Sequence, residues 1–167
     1  MGKVESRIEA RLDKGIASFF KGLIINEYQI KVSDHITYDT FLEDKLLIIV
    51  AIRKGIPYSL FDLIQGYAPF SENDWASFLD ISTKSLQRYR ASSSFHFKPI
   101  HSEKIIEMAE VTKVALDVFG DMEKLKLWLN TPSYALGQLK PIELLKDSYG
   151  KEMVISELTR INYGILV

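Results

Sequence analysis

The residue types that most often carry catalytic chemistry are few in this sequence, and they do not combine into a recognisable site. The three histidines are His35, His96 and His101, and the spacing of the last two does not align them on one helix face for a metal ion. No cysteine is present, which excludes a thiol nucleophile, a disulfide framework and cysteine-ligated zinc. Glycine-rich phosphate loops and the nucleophile-elbow motif are also absent. We therefore expect a protein that is not an enzyme and needs no cofactor.

The strongest local pattern, over residues 71–90, predicts two short helices joined by a tight turn. Ala76 is the small residue that such a motif places between its helices, Ile81 is the apolar turn residue, and Leu86 and Tyr89 share the inner face of the second helix. An ordinary helical corner produces the same pattern, whereas DNA binding requires an outer face that reads bases or holds phosphates. The candidate DNA-binding residues on that face are Thr83, Lys84, Ser85, Gln87, Arg88 and Arg90.

The elements that must position these residues are helical almost throughout the chain. Apolar residues from Val4 to Leu23 recur at steps of three and four, which predicts an amphipathic helix. Residues 26–40 are the one candidate strand, because Tyr28, Ile30 and Val32 alternate with polar neighbours, and we interpret them as an extended arm. Glycine, proline and serine punctuation predicts further helices over 41–54, 57–65, 72–79, 83–91, 102–119, 121–129, 142–148 and 151–163. The predicted fold class is all-α.

The charge balance limits what the whole surface can bind. Lys and Arg total 21 against 22 Asp and Glu, which argues against a generally basic nucleic-acid coat protein, so any DNA contact must come from a local patch. Residues 1–100 carry 13 basic and 12 acidic side chains, and residues 101–167 carry 8 and 10. The longest apolar run is the seven residues 46–52, whereas a membrane span needs about 20. We expect a soluble, cytoplasmic protein with no membrane partner.

An ordered series of short motifs occupies the last third of the sequence. It consists of Phe119-Gly-Asp-x-x-Lys-x-x-x-Trp-Leu-x-x-Pro132, Ala135-Leu-Gly137, Pro141-Ile-Glu-Leu-Leu145, Gly150 and Leu158-x-Arg-Ile-x-Tyr-Gly164. This series resembles the C-terminal toxin-binding domain of the Xre/MbcA/ParS antitoxins. The resemblance is nearly continuous over 101–167, and residues 41–100 are similar to the Xre-like helix-turn-helix domain of that family. Residues 1–40 match no motif and are expected to form a helical N-terminal extension.

The resemblance implies an antitoxin that neutralises a NAD-consuming RES-domain toxin by covering its active site. It also implies that the protein represses its own operon through the helix-turn-helix, as a homodimer on operator DNA. Toxin contacts are expected near the C-terminal end of the sequence, at Arg160, Tyr163, Gly164, Ile165, Leu166 and Val167. Core positions are expected at Trp128, Leu129, Leu144, Leu145 and Val154. Two alternatives stay open: a stand-alone helix-turn-helix regulator whose C-terminal domain only dimerises, and an all-α scaffold with no DNA role.

Overall fold

The computed structural model describes residues 2–23 and 30–165. Within them the chain forms ten α-helices and one 3₁₀ turn, with no β-strand, which confirms the all-α prediction. None of the helices in this part of the chain is long and apolar enough to cross a bilayer. The helices are α1 (Gly2–Lys21), α2 (Tyr38–Glu43), α3 (Lys45–Lys54), α4 (Tyr58–Tyr67), α5 (Glu72–Phe78), α6 (Thr83–Arg90), α7 (Pro99–Phe119), α8 (Met122–Leu129), α9 (Pro141–Leu144) and α10 (Ser148–Asn162), with the 3₁₀ turn at Tyr134–Leu136.

The chain folds into two compact units. Unit 1 comprises Met1–Ala68 and Lys84–Ile106, and unit 2 comprises Pro69–Thr83 and Glu107–Val167. Helix α7 therefore contributes its first part to unit 1 and the remainder to unit 2. The boundaries of these units differ from those of the domains predicted from sequence, which were residues 1–40, 41–100 and 101–167. Helix α1 packs on α2 and α4, so the N-terminal extension belongs to the same unit as α4.

Unit 1 is built around the apolar face of α1. Leu12, Ile16 and Phe20 are buried, and burial of each such side chain contributes about 1.5–3 kcal/mol. Asp13 fixes the helix to its neighbour, because its Oδ1 accepts the backbone N–H of Tyr38 at 2.8 Å. Burial raises the pKa of the Tyr38 phenol far above its usual value. The amphipathic helix predicted at the start of the sequence is thus confirmed.

The single helix predicted over residues 41–54 is wrong, because the chain breaks at Asp44. This residue ends α2 and begins α3, with φ −99° and ψ 99°. Its carboxylate accepts the N–H groups of Leu46 and Leu47 at 3.0 and 3.1 Å, which satisfies two donors of the first turn of α3. The apolar periodicity continues across the break, so periodicity alone gave no sign of it.

The extended arm predicted over residues 26–40 is also wrong at its C-terminal end. Helix α2 begins at Tyr38, where the Thr37 hydroxyl accepts the N–H of Thr40 and the Thr40 hydroxyl accepts the N–H of Thr37. Residues 30–33 have no regular secondary structure. Tyr28, which helped to suggest the strand, lies outside the described residues.

Two glycines that were expected to separate helices lie inside them. Gly66 belongs to α4, which ends at Tyr67, and Gly150 belongs to α10, which begins at Ser148. The N-cap of α10 is Asp147, whose Oδ1 accepts the N–H of Gly150 at 2.8 Å. Helix α9 is correspondingly shorter than predicted. The other glycines assigned to helix ends adopt the positive φ angles that such ends require, namely Gly55, Gly120, Gly137 and Gly164.

Unit 2 has its own apolar core. Phe70, Trp75 and Phe78 pack edge to face with ring centroids 5.1–6.1 Å apart. The salt bridge between Lys151 Nζ and Glu110 Oε2, at 2.7 Å, joins α10 to α7. Among the predicted core positions, three are buried and two are half-buried; the buried residues are Leu129, Leu145 and Val154, and the half-buried ones are Trp128 and Leu144.

Ser102 was predicted to start α7, but the helix begins at Pro99 and Ser102 is completely buried. Its hydroxyl accepts the N–H of Ile56 at 2.9 Å and donates to the carbonyl of Phe97 at 3.3 Å. This one hydroxyl therefore satisfies backbone groups from two other segments of unit 1.

Replacing Ser102 by alanine should lower the free energy of unfolding by about 1–3 kcal/mol, because the buried N–H of Ile56 would lose its acceptor. Urea denaturation followed by far-UV circular dichroism measures this loss. The exposed Ser59→Ala change in α4 is the matched control, and its effect should stay within about 0.5 kcal/mol. Equal stabilities of the two variants would contradict the hydrogen-bonding role of Ser102.

Candidate functional site

The turn between α5 and α6 has the geometry that the sequence pattern predicts. Ser71 caps α5, since its Oγ accepts the N–H of Asp74 at 3.1 Å while Oδ2 of Asp74 accepts the N–H of Ser71 at 2.8 Å. Ala76 is buried, and its carbonyl accepts the N–H of Ile81 at 3.0 Å. Asp80 turns the chain with a φ of 52°, a conformation that aspartate tolerates better than most residues. The small residue and the apolar turn residue thus occupy the places predicted for them.

Helix α6 is held by two residues on its inner face. Leu86 is buried, and the ring of Tyr89 stacks on Phe95 with centroids 3.8 Å apart and planes 9° apart. These contacts fix the rotation of α6 about its axis, which decides which side chains point outward. The predicted DNA-binding residues divide accordingly: Lys84, Gln87 and Arg88 are exposed, and Thr83 and Ser85 are half-buried.

Arg90, the sixth predicted DNA-binding residue, has a structural contact that the sequence did not indicate. Its Nε donates to the hydroxyl of Tyr58 at 3.1 Å, which ties the C-terminal end of α6 to the start of α4. The guanidinium of Arg88 instead lies 5.6 Å from the centroid of the Tyr89 ring and stays exposed. The outward face of α6 therefore presents two cations, Lys84 and Arg88, with Arg90 at its edge.

A second surface lies in unit 2, where α10 leaves apolar side chains in solvent. Tyr149 and Met153 are 83% and 45% exposed, and Tyr134 is 79% exposed. Tyr149 and Met153 line a hollow of about 440 Å³. We call this region the α10 surface, and its residues are Tyr134, Ala135, Leu136, Tyr149, Glu152, Met153, Ser156, Glu157 and Arg160.

Arg160 brings a positive charge to the rim of the α10 surface. Its Nη1 lies 3.3 Å from Oε2 of Glu157, one turn earlier on the helix. Such an ion pair near solvent contributes about 0–1 kcal/mol, so the guanidinium can exchange Glu157 for another carboxylate at little cost. Among the predicted toxin-contact residues that the structure describes, Arg160 is the one that lines the hollow.

The other predicted toxin contacts follow the end of α10. Tyr163 and Ile165 are 74% and 57% exposed, and Gly164 turns the chain with a φ of 68°. The N–H of Ile165 donates to the carbonyl of Arg160 at 3.0 Å, which closes the helix end. Leu166 and Val167 lie outside the described residues.

Sequence reasoning missed Tyr134, Tyr149 and Met153. Residues 149, 153 and 160 recur at steps of four and seven, which is a helical face, but such a pattern is usually assigned to a core. Only the burial of Val154 and Leu158 on the neighbouring face of α10 shows that the 149–153 face is the outward one.

The histidines take part in local structure. Nδ1 of His96 lies 3.0 Å from the carbonyl oxygen of Ser94, and the ring of His101 meets the edge of Phe97 with centroids 6.3 Å apart. Across residues 2–23 and 30–165, no group of three or more histidine, aspartate or glutamate side chains is arranged to hold a metal ion.

Comparisons with known proteins cover most of the chain. Residues 48–110 match the family model of the antitoxin Xre-like helix-turn-helix domain, and residues 114–164 match that of the antitoxin Xre/MbcA/ParS C-terminal toxin-binding domain. An antitoxin Xre from Photorhabdus laumondii subsp. laumondii is 29% identical over 116 residues, which are 69% of this chain and 78% of that protein. A chain in the crystal structure of the M. tuberculosis MbcT–MbcA toxin–antitoxin complex is 19% identical, with a TM-score of 0.48 over 79% of this chain and 100% of that one.

Proposed function

Because this chain belongs to the Xre family of antitoxins, we propose that it neutralises a NAD-consuming RES-domain toxin by covering the active site of that toxin. We further propose that it represses its own operon through the helix-turn-helix. The observation that carries the first proposal is the α10 surface, which lies within residues 114–164, the part of the chain that matches a toxin-binding domain.

The composition of the α10 surface suits a protein partner. Tyrosine, methionine and arginine are enriched at protein interfaces. Tyrosine and arginine are also enriched among the few interface residues that supply most of the binding energy. Exposed Tyr149 and Met153 leave apolar area in water, and a partner that covers it recovers about 25 cal/mol per Å² before the costs of association. Arg160 at the rim offers a bidentate donor to a carboxylate on the partner. Blocking an enzyme in this way requires surface complementarity and no catalytic group.

Co-expression with a RES-domain toxin tests the proposed neutralisation. The full chain should restore growth and the cellular NAD level, and removal of residues 163–167 should weaken that rescue. Persistent growth arrest, with the full chain present in folded form, would contradict the proposal. It would favour the alternative, a stand-alone helix-turn-helix regulator whose C-terminal domain dimerises.

Operator binding is proposed to require two copies of the chain. Lys84, Arg88 and Arg90 give one copy only three cations on α6, a weak electrostatic footprint for DNA. A homodimer doubles this footprint and places its two recognition helices in half-sites about 34 Å apart, one turn of the duplex.

The proposed function also implies a cellular compartment. The operator DNA and the NAD that the toxin consumes are cytoplasmic, and we propose that the antitoxin is cytoplasmic as well.

Replacing Lys84 and Arg88 by alanine should lower operator affinity at least tenfold, because one good bidentate base contact is worth about 1–3 kcal/mol. Toxin inhibition should be unchanged. Fluorescence anisotropy with the DNA upstream of the operon, at one fixed salt concentration, measures the affinity. Exposed Lys146→Ala in unit 2 is the control and should leave operator affinity as it is. An unchanged operator affinity in the double variant would show that α6 is not the recognition helix.

A further inference from the structure

Helix α1 carries a positively charged face, and the proposed function gives this face no role. Arg7, Arg11, Lys14 and Lys21 are all exposed, and at 3.6 residues per turn they fall within a sector of about 80° around the helix axis. Among residues 6–21, whose side chains the structure describes, Ser18 is the other exposed position in that sector, so no carboxylate interrupts it. We call these four cations the α1 basic stripe.

Two acidic side chains of α1 that the structure describes, Glu9 and Asp13, lie away from the stripe and are hydrogen-bonded within unit 1. Oε1 of Glu9 accepts the hydroxyl hydrogen of Tyr67 at 3.2 Å, and Oδ1 of Asp13 accepts the N–H of Tyr38 at 2.8 Å. An ordinary solvated helix face mixes charges of both signs, which form pairs three and four residues apart. Helix α1 instead separates them, with hydrogen-bonded acids near the protein and cations toward solvent.

One residue of the α1 basic stripe, Arg11, lies at a hollow that the C-terminal end of α6 also borders. A hollow of about 370 Å³ in unit 1 is lined by Ile8 and Arg11 from α1, by Asp62, Leu63, Gln65 and Gly66 from α4, and by Arg90 from α6. Arg11 and Arg90 therefore border the same depression, with Asp62 as the acid among its lining residues. All these residues belong to unit 1, so α1 and the C-terminal end of α6 border the same hollow within one compact unit.

We propose that the α1 basic stripe binds the phosphate backbone of the DNA that flanks the bases contacted by α6. This inference rests on the proposed operator binding and extends it to a helix outside residues 48–110, the range matched by the helix-turn-helix model. From Arg7 to Lys21 the stripe is about 21 Å long at 1.5 Å per residue. Duplex DNA carries one negative charge per about 1.7 Å of its axis, so an equal length of duplex carries more phosphates than the stripe has cations.

Phosphate contacts have a measurable signature that base contacts lack. Each neutralised phosphate releases counterions and steepens the fall of log K with log salt by about 0.9, whatever the base sequence. The stripe therefore contributes equally to operator and unrelated DNA and leaves their affinity ratio unchanged.

The test is the variant in which Arg7, Arg11, Lys14 and Lys21 are all replaced by glutamine, a change that keeps helix propensity and touches only exposed side chains. Anisotropy titrations would use the duplex upstream of the operon and a scrambled duplex of equal composition, at several salt concentrations. The salt slope should become shallower by about 2–4, and affinity for both duplexes should fall about 100-fold near physiological salt. The variant with glutamine at Lys124, Lys126, Lys140 and Lys146 removes the same charge from exposed positions of unit 2 and should change neither quantity.

Several outcomes would overturn the proposal. An unchanged salt slope and affinity, with wild-type operator binding intact, would overturn the stripe alone and leave the proposed function standing. A loss confined to the operator duplex would mean base readout, and a loss of toxin inhibition without a loss of DNA affinity would place the stripe on the toxin. If the wild-type chain bound no operator DNA at all, the repression proposal would fail together with the stripe. Circular dichroism and thermal unfolding of the variant, both expected to match wild type, exclude misfolding as the cause.

Discussion

Replacing Tyr149 and Met153 together by alanine should weaken toxin binding about 1,000-fold, because two interface anchors of this kind are worth about 2 kcal/mol each or more. Both side chains are exposed on the α10 surface, so their truncation removes contact area from the partner without opening a cavity in unit 2. Isothermal titration calorimetry with the purified RES-domain toxin measures the Kd. Thermal unfolding of the variant should match that of the wild-type chain.

The matched control is the pair Leu46→Ala and Ile49→Ala in α3. These residues are 60% and 41% exposed and belong to unit 1. The control removes a comparable exposed apolar area from a helix surface, and toxin affinity should stay within about twofold, as it does for residues outside an interface core. An unchanged Kd for the Tyr149 and Met153 variant, or an equal loss for the control, would refute the assignment of the α10 surface to the toxin.

Replacing Gly150 by alanine should unfold or severely destabilise unit 2, with a loss of about 3 kcal/mol or more. A Cβ at this position would overlap the carbonyl oxygen of Leu144 and lie 2.6 Å from its carbonyl carbon. Both atoms belong to the backbone, so no rotamer change relieves the clash and the segment connecting α9 to α10 must move. Both tryptophans of the chain, Trp75 and Trp128, belong to unit 2, and fluorescence-detected urea denaturation therefore reports on this unit.

Gly66→Ala is the control for the Gly150 variant. Gly66 is also helical, but nothing lies within 4 Å of the position a Cβ would take. Alanine there should leave the fluorescence-detected unfolding of unit 2 as in wild type and stabilise unit 1 by about 0.5–1 kcal/mol in urea denaturation followed by far-UV circular dichroism, because it loses less conformational freedom in a helix than glycine does. Should Gly150→Ala keep the wild-type denaturation midpoint, the close approach of α9 and α10 would not exist in solution.

The parts of the fold that could be predicted from sequence are those that local rules determine. The three- and four-residue period located the buried face of α1 and the inner residues Leu86 and Tyr89 of α6. Side-chain caps and the turn residues placed the start of α5 and the turn after it. Asp44 escaped prediction because an aspartate between two apolar runs is equally acceptable on the outer face of one long helix.

Gly150 escaped prediction for a different reason. A glycine inside a helix normally costs stability, so the sequence suggested a helix end at this position. The benefit appears only when α9 and α10 are folded against each other, since the absent side chain leaves room for the Leu144 carbonyl. Ser102 is similar, because its role depends on Ile56, which is 46 residues away in the sequence.

The candidate site was predictable only where its residues differ in type from the core. The exposed cations of α6 could be identified from sequence because charged side chains do not occupy a core position. Tyr149 and Met153 could not, because an apolar face that packs on a partner has the same period as one that packs within its own chain. Distinguishing the two faces of α10 required the burial of Val154 and Leu158 to be known.

The most direct test of the central claim is the NAD-consuming activity of the purified RES-domain toxin, titrated with increasing amounts of the full chain. Binding over the active site predicts that activity falls linearly and reaches background at a fixed stoichiometric ratio, with no requirement for DNA. It also predicts that the Tyr149 and Met153 variant leaves the toxin active at the same ratio. Full toxin activity in the presence of excess folded wild-type chain would contradict the claim that this protein is the antitoxin of that enzyme.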